Sequence, residues 1–171
     1  MTLIRQFAPA DAQAVVDVIL PIQQSEFGIA ITLEAQPDLQ DIPGFYQRGN
    51  GAFWVAESEG AVVGTIALLD IGNRQAALRK MFVAKSHRGP GHGVAKHLLA
   101  TLFEWCRARG IDEIYLGTTG AFLAAHRFYE KSGFSELARR DLPGAFPVMT
   151  VDTKFYVKVL RQYGAAQCIH A

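Results

Sequence analysis

The order of apolar and polar residues predicts short strands in the first half of the chain. Residues 3–7 have the pattern of a strand, and a helical pattern follows from Asp11 to Pro21, where we expect the helix to end. Prolines and glycines divide residues 22–51, which predicts one or two short helices and loops. From Ala52 the period becomes that of strands, and short turns between three segments predict an antiparallel meander over residues 53–57, 61–70 and 75–83.

A polar, glycine-rich loop at residues 84–91 separates this meander from a second pattern. A helix is predicted over residues 92–109, and Gly110 follows as a stop signal. Further segments predict a strand, a helix and two strands at residues 113–116, 121–131, 134–138 and 148–160. Strands joined by a crossover helix lie parallel, so we expect 75–83 and 113–116 to form a parallel pair. The fold class is therefore mixed α/β (α+β).

Length and composition favour one folded domain. The 171 residues suit a single domain, which we predict over 1–160 with a tail at 161–171. The 50% hydrophobic content argues against disorder, and the net charge of +1 predicts no general attraction to nucleic acid or anionic membrane. No stretch approaches the ~20 apolar residues that span a bilayer, which predicts a cytoplasmic location. Cys106 and Cys168 form no paired motif, so we expect no disulfide framework and no metal site.

The loop before the long helix carries the clearest chemical signal. It contains Arg88 and three glycines within five residues, Gly89, Gly91 and Gly93, directly before the helix start at Val94. The first amides of a helix have no internal acceptor and carry a partial positive charge. Glycines let phosphate oxygens approach such amides closely. The loop therefore predicts a phosphate or diphosphate site. The alternative is that the glycines serve only a tight turn, but three of them after an arginine exceed what a turn requires.

Two other phosphate loops do not match. A Walker loop requires Lys and then Ser or Thr after its last glycine, whereas Val94 and Ala95 follow Gly93. A dinucleotide fingerprint requires a third glycine where this chain has Val94 or Lys96. A nucleotide-binding domain that uses the same loop stays a weaker hypothesis.

The chain resembles the GNAT superfamily of N-acetyltransferases in two motifs. The run Arg88-Gly89-Pro90-Gly91-His92-Gly93 is similar to the diphosphate motif of that family. Residues 125–134, with the sequence AHRFYEKSGF, resemble a second family signature, and residues 78–83 resemble its fourth strand. The resemblance implies a mostly antiparallel sheet with a central parallel pair and helices on both faces. It also implies an acyl-CoA-dependent N-acetyltransferase with acetyl-CoA as co-substrate and no metal.

The resemblance assigns residues to each part of the reaction. The pantetheine arm of the cofactor would pair with the strand at Met81 and Val83, and the Phe82 amide would face the thioester oxygen. Tyr129 matches the residue that protonates the departing thiolate, although it can also be an aromatic side chain packed on the sheet. The diphosphate would be held by backbone amides at Arg88, Gly89, Gly91, His92, Gly93 and Val94.

Two positions depart from the family pattern. The strand at residues 75–83 contains no Asp or Glu, and Ala77 stands where many relatives have a glutamate base. Glu57 and Asp70 are weak alternatives, each better explained as a charge at a strand end. Phe122 replaces an asparagine that contacts the pantetheine arm in many relatives. The missing base keeps a second hypothesis open, in which the chain is a non-catalytic acyl-CoA sensor.

Partners are predicted only in outline. The acceptor, a small-molecule or peptide amine, would lie against residues 15–48 and 142–152, where acids could attract it and aromatic rings could stack on it. The stretches supply Glu26, Phe27, Asp38, Asp41, Phe45, Tyr46, Phe146 and Met149. Residues 146–152 could instead form a homodimer interface. His126 is expected to face solvent.

Overall fold

The computed structural model describes residues 1–160, so Cys168 and the predicted tail at 161–171 lie outside the described residues. The helices are α1 (Ala12–Pro21), α2 (Pro37–Gln40), α3 (Ile42–Phe45), α4 (Val94–Ala108) and α5 (Leu123–Lys131). The strands are β1 (Thr2–Gln6), β2 (Ala52–Ser58), β3 (Ala61–Gly72), β4 (Gln75–Val83), β5 (Glu113–Thr118), β6 (Ser135–Leu137) and β7 (Lys154–Val159). The chain forms two compact units. Unit 1 comprises residues 1–70 and 78–106, and unit 2 comprises 71–77 and 107–160.

The strands form one sheet in the order β1-β2-β3-β4-β5-β7-β6. Strands β4 and β5 are parallel, with Gln75 opposite Glu113, which confirms the predicted crossover. The pairs β1–β2, β2–β3, β5–β7 and β6–β7 are antiparallel. Two-residue turns at Glu59–Gly60 and Asn73–Arg74 have positive φ at both positions, the geometry that joins neighbouring strands in hairpins. The predicted mixed fold class is confirmed.

In unit 1, alternate residues of the strands face different helices. Phe53 and Val55 of β2 lie in a core cluster with Val15 and Ile19 of α1. Trp54, which lies between them, instead packs edge-on against Trp105 of α4, with ring centroids 5.5 Å apart. Because successive side chains of a strand point to opposite faces, α1 and α4 cover opposite faces of the sheet in this unit.

Gly64 of β3 sets how closely α4 approaches the sheet. A Cβ atom at this position would lie 3.2 Å from Leu98 Cδ1, 3.2 Å from the Phe82 carbonyl oxygen and 3.3 Å from Val94 Cγ1. The missing side chain therefore brings the first turn of α4 against β3. Trp105 further fixes this helix by donating from Nε1 to the Asn50 carbonyl, 2.8 Å away.

Unit 2 has its own aromatic packing. Tyr129 of α5 lies beside Phe134 and Tyr156, with ring centroids 5.6 and 6.1 Å apart. Phe146, which we predicted at an acceptor site or a dimer interface, is buried and packs edge-on against Phe155 at 6.2 Å. Its ring therefore supports the unit itself, whereas Val151 in the same segment is exposed.

The end of the first helix is as predicted, whereas the start of the final strand differs. Helix α1 ends at Pro21, and the chain then continues in a wider turn over Ile22–Glu26 in which Phe27 N donates to the Ile22 carbonyl at 3.0 Å. The final strand begins at Lys154, whereas the pattern predicted residue 148. Asp152 Oδ2 accepts from Met149 N at 2.9 Å, and this turn occupies the residues before the strand.

Within residues 1–160, no helix has the length and apolarity that a membrane crossing requires. Cys106 is buried in α4.

Candidate functional site

The glycine-rich loop leads directly into the first turn of α4. Residues Lys85–His87 form a single 3-10 turn after β4, and α4 begins at Val94. Gly89 has φ +98°, a conformation that a residue with a Cβ rarely adopts. A Cβ atom added at Gly89, Gly91 or Gly93 would have nothing within 4 Å, so the space above the loop backbone is open.

Several amides of this loop are available to a ligand. Within residues 1–160, the amides of Gly89, Gly91 and Val94 have no acceptor in the protein. The other three predicted donors are partly engaged by the loop itself, because the amides of Arg88, His92 and Gly93 lie 3.2–3.4 Å from backbone carbonyls. Unpaired amides at a helix N-terminus, beneath open space, fit the charge and size of a diphosphate.

The Arg88 side chain is turned toward the chain itself. Its guanidinium forms two hydrogen bonds with Glu26, at 2.6 and 3.0 Å, and its Nε donates to the Val83 carbonyl at 2.7 Å. Arg88 therefore holds the pKa of Glu26 below its usual value. The Arg88 guanidinium thus connects the loop to the turn after α1 and to the end of β4.

The end of β4 carries the other predicted cofactor residues of unit 1. Met81, Phe82 and Val83 are its last three residues, and the Phe82 ring packs against the core cluster that contains Phe53. Ala84 is the first residue after β4, and its amide donates to the Val63 carbonyl of β3 at 2.8 Å. Hydrogen bonding to β3 therefore continues one residue past the end of β4.

Tyr129 in unit 2 is a buried phenol. Its side chain lies among the rings of Phe128, Phe134 and Tyr156. Burial raises the pKa of Tyr129 to about 12, because the charged phenolate is disfavoured away from water. The hydroxyl therefore keeps its proton throughout the neutral range.

His126 is buried, so the prediction of a solvent-facing histidine is wrong. Only 5% of its surface is exposed. The ring nitrogen Nε2 lies 2.8 Å from the Thr119 carbonyl, seven residues earlier, and this contact satisfies the buried nitrogen. Thr119 lies before the start of α5, so the helical spacing of apolar residues does not predict this contact.

The two weak candidates for a base have structural partners. Glu57 Oε2 accepts from Arg5 Nε at 2.7 Å at the edge of the sheet. Asp70 Oδ2 accepts from the amide of Asn50 at 2.9 Å and so closes a turn. Both contacts agree with the interpretation of these acids as charges at strand ends.

A buried polar cluster on β4 was not anticipated from the sequence. Lys80 Nζ lies 2.6 Å from Gln36 Oε1 and 3.3 Å from Asp38 Oδ2, and its side chain is 7% exposed. Tyr46 donates to the same Asp38 oxygen at 2.6 Å. Gln36 also exchanges two hydrogen bonds with Gln23. Burial lowers the pKa of Lys80 against the opposing effect of Asp38, and burial raises the pKa of Tyr46.

Most of the residues of unit 1 that we expect to contact the acceptor amine are instead bonded to other residues of the protein or buried. Glu26 and Asp38 have the partners given above, and Asp41 Oδ1 accepts from Gly44 N at 3.0 Å at the start of α3. Tyr46 is fully buried. The guanidinium carbon of Arg79 lies 6.0 Å from the centre of the Phe45 ring, and both residues are partly exposed. This face of β4 therefore presents a cation and an aromatic ring.

Histidine, cysteine and acidic side chains of residues 1–160 do not assemble into a metal site. Among residues 1–160 there is no group of three or more of them that could hold an ion. His87 and His92 lie near each other in the loop, with ring centroids 5.5 Å apart, but His87 Nδ1 is already 2.8 Å from Ser86 Oγ.

A glycine-rich loop with unpaired amides, placed between two parallel strands and at the start of a helix, is typical of α/β proteins that bind phosphate-containing ligands. The family model "Acetyltransferase (GNAT) family" matches residues 17–134, and the chain belongs to this family.

Similar proteins extend this result. The crystal structure of an acetyltransferase of the GNAT family from Staphylococcus aureus is 38% identical, covers 94% of this chain and 100% of that chain, and superimposes with a TM-score of 0.90. An N-acetylaspartate synthetase from Xenopus tropicalis is 38% identical over 104 residues, which are 58% of this chain and 37% of that protein. The chain spans about half the length of the first curated relatives that it matches.

A solved structure with lower sequence identity contains coenzyme A. An N-acetyltransferase from Thermoplasma acidophilum, in complex with coenzyme A, is 18% identical, covers 93% of this chain and 99% of that chain, and has a TM-score of 0.70. At this identity the similarity shows a common fold.

Proposed function

We propose that the chain transfers an acetyl group from acetyl-CoA to a primary amine by direct attack of the amine on the thioester. The observation that carries this proposal is the open backbone at the start of α4, where the amides of Gly89, Gly91 and Val94 have no acceptor within residues 1–160. The family membership and the 38% identity with a GNAT acetyltransferase over its full length support it.

In this proposal the loop and β4 hold the donor. The amides of Gly89, Gly91 and Val94 bind the diphosphate, and those of Arg88, His92 and Gly93 join them as their long contacts within the loop give way. The backbone of Met81 and Val83 pairs with the pantetheine arm. The Phe82 amide stabilises the negative charge that develops on the thioester oxygen. Arg88 positions the loop, because its guanidinium already binds Glu26 and the Val83 carbonyl.

In this proposal Tyr129 is the hydrogen-bond donor to the departing thiolate. Its raised pKa keeps the phenol protonated at neutral pH, which a donor requires. A free thiol has a pKa of about 8.5, so full transfer from a phenol of higher pKa is uphill. We therefore propose that the phenol stabilises the sulfur mainly through a hydrogen bond as the bond to carbon breaks. Because β4 contains no Asp or Glu, we propose that a chain of water molecules carries the proton of the attacking amine to bulk solvent, and that the thiolate takes up its proton from solvent after it leaves.

The acceptor that we propose is a small amine that also carries a carboxylate. The acids Glu26, Asp38 and Asp41 are engaged within the protein, which reduces their ability to attract a cation. Arg79, beside Phe45, presents a positive charge from β4. The similarity to an N-acetylaspartate synthetase supports the same substrate class.

A thiol-release assay tests the function. Acetyl-CoA is incubated with the purified chain and a panel of α-amino acids, their carboxamides and diamines, and free CoA is measured. We expect amines with a carboxylate to release CoA faster than their carboxamides. The missing carboxylate on β4 favours one alternative, a non-catalytic acyl-CoA sensor, and binding of acetyl-CoA without release by any amine of the panel would support that alternative.

Replacing Arg79 tests the proposed acceptor. In Arg79→Gln we expect the ratio of kcat/KM for the best amino acid to kcat/KM for its carboxamide to fall about 10-fold, the loss expected for one charge-assisted contact of about 1.4 kcal/mol. Lys85→Gln, which removes a positive charge six residues further along the chain, after β4, is the control and should keep the ratio. An unchanged ratio in Arg79→Gln would remove Arg79 from acceptor recognition.

The remaining predictions concern the whole chain. We propose that residues 1–160 act as one acetyltransferase domain, which the family match over residues 17–134 supports. A homodimer, a cytoplasmic location and a lack of binding to nucleic acid or membrane stay predictions from the sequence.

A further inference from the structure

One residue of β4 has a backbone conformation that its side chain does not favour. Lys80 has φ +52°, and the other non-glycine residues with positive φ, Glu59, Asn73 and Arg74, all lie in hairpin turns within residues 1–160. Positive φ inside a strand interrupts the regular ladder and re-aims the peptide groups that follow, as in a β-bulge. Phe82, whose amide we propose faces the thioester oxygen, is two residues further along the same strand.

Both ends of Lys80 are held by buried partners. On the backbone side, Thr65 Oγ1 donates to the Lys80 carbonyl at 2.7 Å, and Thr65 is completely buried in β3. On the side-chain side, Nζ contacts Gln36 and Asp38 at 2.6 and 3.3 Å. Such a strained conformation persists only where its surroundings hold it in place. These contacts therefore explain why a lysine keeps a left-handed conformation here.

We propose that Lys80 is a positioning residue, and that its contacts with Thr65, Gln36 and Asp38 orient the Phe82 amide toward the thioester oxygen. The inference rests on the proposed function, since it concerns the same acetyl donor. Gln36 and Asp38 belong to the segment against which the acceptor is predicted to lie. The cluster therefore links the conformation of that segment to the direction of the amide that polarises the thioester.

The test measures the polarisation of the carbonyl directly. The infrared band of the ¹³C-labelled acetyl carbonyl of acetyl-CoA shifts to lower frequency when a donor polarises it. We expect a downshift in the wild-type complex at saturating protein. In Thr65→Val, a substitution of similar shape that removes only the bond to the Lys80 carbonyl, we expect the band to return at least halfway to its position in free acetyl-CoA.

Matched variants separate positioning from general effects on folding. Thr101→Val removes a similar bond in α4, from Thr101 Oγ1 to the His97 carbonyl at 2.9 Å, and should keep the wild-type band. Lys80→Met alone would leave Asp38 buried without its cation and is expected to unfold the chain. The double variant Lys80→Met with Asp38→Asn removes both charges and should reproduce the band of Thr65→Val. Calorimetry should give a Kd for CoA within about twofold of wild type for Thr65→Val, because the phosphate loop is unchanged.

Each outcome has one meaning. A wild-type downshift that Thr65→Val and the double variant both diminish supports the positioning role. A wild-type downshift that persists in Thr65→Val overturns that role and leaves the proposed function intact. Failure of the wild-type chain to bind acetyl-CoA at all would overturn the proposed function, and the inference with it.

Discussion

Gly91→Glu should weaken the binding of CoA by at least about 100-fold, equivalent to about 2.7 kcal/mol. The substitution places a carboxylate above the open amides of Gly89, Gly91 and Val94, where it repels the diphosphate and fills its space. The fold should persist, because a Cβ atom at Gly91 has nothing within 4 Å and the residue does not have positive φ. Isothermal titration calorimetry with CoA, together with a thermal melt, measures both effects.

Two controls separate the causes of this loss. Gly91→Ala adds volume without charge and should show an intermediate loss of affinity. Gly144→Glu adds the same charge in an equally open turn of unit 2 and should bind CoA as the wild type does. If Gly91→Glu binds CoA with wild-type affinity, the loop is not the diphosphate site.

Tyr129→Phe should lower kcat by about 100-fold, the lower range for loss of one hydrogen-bond donor to a developing negative charge, while the Kd for CoA stays within about twofold of wild type. Phenylalanine keeps the ring contacts with Phe128, Phe134 and Tyr156, so only the hydroxyl is lost. Tyr156→Phe is the matched control, since that hydroxyl donates to Glu130 at 2.7 Å and has no assigned part in the reaction. Turnover with the best amine of the panel, measured by CoA release, gives kcat for each variant.

The pH dependence adds an independent check on Tyr129. A phenol whose pKa is raised to about 12 is protonated below that pH, so its proton-donating form is fully present between roughly pH 6 and 10. Tyr129→Phe should therefore lower the whole pH profile of kcat without changing its shape. A descending limb below pH 10 that is present in the wild type and absent in Tyr129→Phe would contradict the raised pKa.

The sequence predicts this fold well where the signals are local. The glycines of the loop and the helical period after Val94 lie within one continuous segment, and they also imply the parallel pair β4–β5 because a crossover must join it. The boundary at Lys154 was missed because a side chain, Asp152, closes a turn in residues that have the composition of a strand.

The features that the sequence did not reveal depend on distant partners. The conformation of Lys80 is stabilised by Gln36 and Asp38, more than forty positions earlier, and by Thr65 on the neighbouring strand. Likewise, His126 is buried because a carbonyl at Thr119 accepts from its ring. The residues next to Lys80 and His126 in the sequence do not indicate burial, since lysine is mostly exposed in folded proteins and histidine is intermediate.

The edge-on pair of Trp54 and Trp105 provides an intrinsic fluorescence probe of unfolding. These are its two tryptophans, and both lie in unit 1, where they join β2 to the helix that begins at the glycine-rich loop. Fluorescence excited at the long-wavelength edge of absorption, where tryptophan absorbs and tyrosine does not, therefore reports on unit 1 alone. Comparing its denaturation curve with one from circular dichroism would show whether the part that carries Tyr129 melts in the same step or separately.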